Sequence, residues 1–176
     1  MHAVRIELLQ LQAARVGLPL EVIEIPYPCS NEDYERIMAS FIEGVIKDGV
    51  ECFVFGDLYL EDIRDYRISK LHGTGIEPLF PLWDIPTDQL ALEMTSQGLK
   101  AIITCVDPKQ LDKDFVGRLY DMNFVNTLPQ GTDPCGENGE FHSFVFEGPM
   151  FDCPIEVSIG ERVERDGFVF TDVLPA

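Results

Sequence analysis

Hydrophobic and polar positions in this chain follow two different periods, and each change of period marks an element. Near the start, Val4, Leu8, Leu11 and Val16 recur at near-helical spacing up to Gly17, which predicts an opening helix stopped by a glycine. "LPLEVIEIP" then reads as a short strand. "SNEDYERIMASFIEGVIKDG" is the clearest helix: Tyr34, Ile37, Met38, Phe41, Ile42, Val45 and Ile46 draw one apolar face, and Ser30 with Asp33 imitates a capping box. "VECFVFGD" is an almost unbroken apolar run, the pattern of a parallel strand covered on both faces. "LYLEDIRDYRISKLHG" follows as a helix, "IEPLFPLW" as a broken strand, "PTDQLALEMTSQG" as a helix capped near Thr87, and "LKAIITCVD" as a second buried strand. "KQLDKDFVGRLYDMNF" reads as a polar helix. After a loop come "EFHSFVFEG", "IEVSIGERVE" and "GFVFTDV", three strands joined by short turns that include Arg165-Asp166-Gly167.

Strands alternating with helices predict a doubly wound α/β layer with right-handed crossovers, and the last third predicts a smaller, antiparallel α+β unit. The expected boundary lies near Asp107 and Pro108, giving units at 1–107 and 108–176. At 176 residues with 45% apolar composition the chain can bury a real core. Thirty-one acidic against 13 basic residues give a formal charge of −18, which disfavours nucleic acid and anionic membranes as direct partners. Five cysteines without a CxxC pair read as reduced thiols, not as disulfides or a zinc site. No apolar stretch reaches the roughly 20 residues that span a bilayer, so the expectation is a cytoplasmic protein.

In an open α/β sheet, ligands bind beyond the carboxyl ends of the strands, so the residues that follow the apolar runs are the candidates. After "CFVF" come Gly56, where a ligand could approach the backbone, and Asp57, suited to a ribose hydroxyl, a cation or a helix N-cap. Glu61 and Arg64 follow, and Arg64 could clamp a phosphate or carboxylate, although Glu61, Asp62, Arg64 and Asp65 equally suit a solvated face. Asp107-Pro108 is most simply a turn, and Cys105 a core residue. In "GTDPCGENGEFHSF", Glu137 and Glu140 lie three apart around Asn138 and Gly139. A turn there could aim both carboxylates and the amide into one concavity, to hold magnesium, bind an amine or move a proton. His142 could face that cleft or pack, and Cys135 reads as an unreactive loop thiol. Walker-type and GxGxxG phosphate loops and HExxH are absent.

"MHAVR", "FGDLYLEDIRDYR", "LFPLW", "ITCVD" and above all "LPQGTDPCGENGEFHSFVFEGPMF" resemble the diphthine ammonia ligase family of adenine nucleotide α-hydrolase (PP-loop) proteins, from the first residue nearly to the last. The resemblance implies an ATP-dependent ligase that adenylates a carboxylate, releases pyrophosphate and lets ammonia displace AMP, with ATP and magnesium as its cofactors. The acceptor would be diphthine on elongation factor 2 in an archaeon or eukaryote and a small molecule in a bacterium. It further implies a Rossmann-like (HUP-type) nucleotide-binding sheet and a second domain on the substrate side. Gly56, Asp57 and Glu61 would serve the nucleotide and Arg64 the rim of its site. Glu137 and Glu140 would be catalytic on the acceptor side, with Gly136, Asn138 and His142 binding substrate.

The family's opening strand and Ser-Gly-Gly-Lys-Asp-Ser loop have no counterpart here, since Met1 to Arg5 match an internal family segment. The expectation is therefore a sheet lacking its first strand, with exposed edges that favour a homo-oligomer. Two other readings stand beside the ligase: a binding module left from a PP-loop protein, and a metal-dependent hydrolase built on Asp57, Glu137 and Glu140.

Overall fold

The computed structural model describes residues 4–176, so Met1, His2 and Ala3 of the opening motif lie outside the described residues. Two compact units emerge, one formed by Glu21–Ile85 and the other by the residues through Leu20 together with Pro86–Ala176. The fold is mixed α/β, with a small parallel sheet in the first and an antiparallel sheet in the second. No helix among the described residues is long and apolar enough to cross a membrane.

In the unit Glu21–Ile85, strands β1 (Cys52–Val54) and β2 (Glu77–Leu79) pair in parallel, with helix α2 (Asn31–Lys47) before them and α3 (Glu61–Leu71) between them. Ser30 starts α2 as the spacing predicts, its Oγ accepting from the Asp33 amide at 3.0 Å. Phe53, Phe55 and Phe80 form an aromatic ladder, with Phe55 stacked on Phe80 at 5.4 Å between centroids. Two expectations fail here. Residues 18–26 form no strand, because no ladder partner meets them among the described residues, and Leu18, Val22 and Ile25 stay exposed. β1 is not covered on both faces either: Val54 is 65% exposed.

The other unit is a five-stranded antiparallel sheet between helical layers. Its centre is β3 (Lys100–Val106), buried from Ala101 onward. One edge of β3 pairs along its length with β5 (Phe141–Glu147). On the opposite edge, β4 (Leu119–Tyr120) takes Ala101 and Ile102, and β7 (Phe168–Pro175) takes Cys105 and Val106. β6 (Val157–Arg165) completes the sheet through a hairpin whose loop residues Asp166 and Gly167 have φ of 54° and 82°, the mirror-image turn that suits twisted strands.

Alternation along β3 divides the core. Ala101 and Ile103 face the side where Ala91 of α4 (Thr87–Ser96) and Phe124 of α5 (Met122–Thr127) pack, while Ile102 faces Leu8 of α1 (Ile6–Val16). Helix α1 ends as predicted, with Gly17 at φ 75°. The division of the chain thus falls at Leu20 and Ile85, not at 107 and 108. The buried run expected to belong to the parallel layer is the centre of the antiparallel sheet, because its pairing partners lie C-terminal to it. The polar helix expected over 109–124 is replaced by a 3₁₀ turn (Lys113–Phe115), β4 and α5. Gly117, at φ 79°, donates its amide to Ile103 O and so breaks a helix there, and the Asp121 carboxylate starts α5 by accepting from the Phe124 amide at 2.7 Å.

Arg5, at the head of α1, grips Asp172 of β7 through Nε at 3.0 Å and Nη2 at 2.6 Å. The hydrogen bond from Arg5 holds the Asp172 carboxyl below its ordinary value. A depressed folded value means the contribution is complete above about pH 4 and is lost as pH falls through it. Asp172→Asn should therefore cost no more than about 1 kcal/mol at pH 7, since the pair is partly exposed. The gap between the urea melts of the two proteins should narrow as pH falls below about 4.

Candidate functional site

The loop between α5 and β5 folds around a carboxylate. Glu140 is 3% exposed, and its two oxygens accept three donors: the Asp133 amide at 2.9 Å, the Asn138 amide at 3.0 Å and Asn138 Nδ2 at 3.2 Å. Asp133, also buried, accepts from the Cys135 amide at 2.8 Å in an Asx turn. Turns at Gly136 and Gly139 follow, each amide bonding the carbonyl three residues back at 3.0 Å. Gly136 cannot be another residue without rearrangement: φ is 72°, and a Cβ would stand 2.9 Å from Phe141 O and 3.1 Å from its ring.

Side chains of the central sheet fasten the loop. Tyr120 donates its hydroxyl to Pro134 O at 2.9 Å, and the Asp107 amide donates to Glu140 O at 2.9 Å. Gln110 Nε2 reaches Asp107 Oδ2 at 3.1 Å and Asn138 O at 3.4 Å. The loop is thereby fixed to the end of β3, the position where strand-end chemistry was sought. Asp107 and Gln110 were not among the expected site residues. Their signal was an acidic residue ending a buried strand, which also describes any Asp-Pro turn.

The result is an open pocket of about 330 Å³ lined by Cys135, Gly136, Glu137, Gly139, Phe141, His142 and Ser143. Glu137 and His142 therefore sit together at the cavity, while Glu140 turns inward and Asn138 spends its side chain on Glu140. The spacing suggested two carboxylates in one concavity; the fold puts one there and buries the other, because a loop with so many amide donors needs an internal acceptor. Burial, with Asp133 and Glu137 nearby, pushes the Cys135 thiol up to about 12, and burial pushes Cys105 up to about 11, so neither is a thiolate nucleophile at neutral pH.

In the unit Glu21–Ile85, Asp57 is not a helix cap. The N-cap of α3 is Leu60, and Asp57 accepts from Arg67 Nε at 3.4 Å. Gly56 is exposed, with nothing within 4 Å of where a Cβ would stand, so the backbone there is open to approach. Glu61 lies exposed in the first turn of α3, where its charge suits the helix dipole. Arg64 lies over Trp83 at 4.5 Å and Phe80 at 5.4 Å. Among the described residues no group of three or more His, Cys, Asp or Glu could hold a metal ion. Asp57 accepts from Arg67, and both oxygens of Glu140 accept from its own loop.

Fold and loop together define an α/β protein whose antiparallel module carries a glycine-framed acidic pocket. The domain described as the diphthamide synthase C-terminal domain matches residues 86–172, beginning at the residue where that module resumes. Diphthine–ammonia ligase of Mus musculus is 28% identical over 163 residues, covering 89% of this chain and 61% of the relative. The Homo sapiens protein of the same name is 26% identical over the same spans, and that of Bos taurus 30% over 133 residues, covering 72% and 49%. The chain thus spans about 61% of the length of the rodent and human relatives. These matches support its placement in the diphthine–ammonia ligase family.

Proposed function

We propose that the chain carries the acceptor side of an ATP-dependent, amide-forming ligase of the diphthine–ammonia ligase type. The observation that carries this reading is the 131–143 loop, held rigid from within by Glu140 so that Glu137 and His142 line an open pocket. In the reaction, a carboxylate oxygen attacks the α-phosphorus of ATP and pyrophosphate leaves. Ammonia then attacks the acyl carbon, AMP leaves with the bonding pair, and a proton departs from nitrogen.

Glu137 draws ammonium into the acidic pocket and accepts the proton that nitrogen loses, the part that general-base chemistry asks of a carboxylate. His142 and the Gly136 backbone contact the acceptor, while Asn138 and Glu140 set the loop. We read β1, β2, α2 and α3 as part of a Rossmann-like (HUP-type) layer serving the nucleotide through Gly56, Asp57 and Glu61. β1 pairs only with β2 among the described residues, and its other edge supports self-association. The described residues offer no three-ligand site for magnesium, and no step is assigned to it.

The test is AMP release by the chain supplied with ATP, ammonium and diphthine-bearing elongation factor 2, with a small carboxylate acceptor in parallel. Glu137→Gln should lower turnover about 100-fold or more while leaving the thermal midpoint nearly unchanged. Acceptor-independent nucleotide binding without AMP release would favour the binding-module reading instead.

A further inference from the structure

Arg64 stands apart from the other arginines of its unit. Arg36 holds Asp33 and Arg67 holds Asp57, yet no carboxylate lies within ion-pair distance of Arg64 among the described residues. That isolation is unexpected in a chain with 31 acidic residues. Its Nε is buried and has no hydrogen-bond partner, a condition native proteins rarely leave unexplained. The guanidinium lies over Trp83 at 4.5 Å and Phe80 at 5.4 Å, so aromatic faces, not a counter-charge, fix its position. Stacking covers the plane of the group and leaves its donors to act along the edge. A planar fork with unspent donors matches two oxygens of one anion, and an arginine already stacked loses little freedom when it binds.

We propose that Arg64, stacked on Trp83 and Phe80, is a receptor for an oxyanion, a phosphate or a carboxylate, taken bidentately on the guanidinium edge. A small rotation on the Trp83 face brings Nε to the second oxygen and gives its orphaned hydrogen a partner. Arg67 does not compete for the anion while Asp57 occupies it, and the exposed acids Glu61, Asp62 and Asp65 on α3 confine binding to an anion that can use both donors. This deepens the nucleotide-side reading, on which only the choice of probes rests.

Trp83 is the single tryptophan of the chain, so its fluorescence reports on the group stacked against it. The full chain is titrated with pyrophosphate, AMP and acetate, against sodium chloride of matched ionic strength. A saturable change with pyrophosphate or AMP identifies a phosphate site, and one with acetate alone a carboxylate site. Arg64→Lys, which keeps charge but loses the fork, should weaken binding about tenfold or more. Arg64→Met, which keeps an apolar stem on the ring, should abolish it, with circular dichroism confirming that the variant is folded. No saturable response, or a response that survives Arg64→Met, overturns the proposal. Anion binding here without acceptor-dependent AMP release would retain this site and reject the ligase reading; AMP release with no anion response at Trp83 would do the reverse.

Discussion

Glu140→Ala is expected to lower the thermal midpoint by about 10 °C, the largest loss from any single carboxylate in the chain. The carboxylate is 3% exposed and accepts two backbone amides and one side-chain amide. Removing it leaves the buried Asp133 amide and two part-buried donors of Asn138 without their acceptor. Each orphaned donor costs about 1–3 kcal/mol, so a total near 4 kcal/mol follows even if one finds water. Glu140→Gln separates charge from shape. Its carbonyl can replace one oxygen and keep two donors, but its NH₂ must then face the remaining N–H, so about half the loss should persist. Glu137→Gln is the control: a residue at an open pocket should change stability by less than about 0.5 kcal/mol. Thermal melts of the three variants measure this directly. A Glu140→Ala protein as stable as the parent would mean that the loop is not organised by this carboxylate.

That contrast shows how far the sequence reveals the site. Glycines at 136 and 139 mark a turn, and the surplus of polar groups marks it as more than a turn. Spacing alone cannot tell which glutamate faces out, because both orientations satisfy a three-residue separation. Only the positions of Asp133 and Asn138 relative to the loop decide it. The same limit applies to the fold. Ser30, Gly17 and Asp166-Gly167 were legible because each acts on backbone within a few residues of itself. The run 100–106 was legible as buried and illegible in partnership. A central antiparallel strand covered by α1 on one face and by α4 and α5 on the other has the same apolar signature as a parallel one. Its partners lie as far away as Phe170, beyond the reach of any local pattern. Asp57 shows the converse: a local rule suggested a helix cap, and an arginine ten residues on took the carboxylate instead.

Gly136→Ala should be nearly as damaging as Glu140→Ala, by a different route. The backbone there has φ of 72°, a conformation that costs a residue with a Cβ about 1–2 kcal/mol. The new methyl would also stand 2.9 Å from Phe141 O and 3.1 Å from two ring carbons. Phe141 cannot retreat cheaply: it is 4% exposed, its ring packs edge-on to Phe124 at 5.3 Å, and its residue pairs with Val106 at the end of β3. The loop must move instead, and with it Glu137, the next residue along. About 3 kcal/mol of destabilisation is expected, read as a fall of roughly 8 °C in the thermal midpoint. Acceptor-dependent AMP release should fall further than the residual folded fraction explains, since displacing a general base by 1 Å can cost about 100-fold in rate. Gly139→Ala makes the comparison sharp. That position shares a positive φ of 79° but has nothing within 4 Å of the added methyl, so it should bear the backbone cost alone. Equal losses at the two glycines would show that backbone conformation, not the close approach of Phe141, sets the requirement at Gly136.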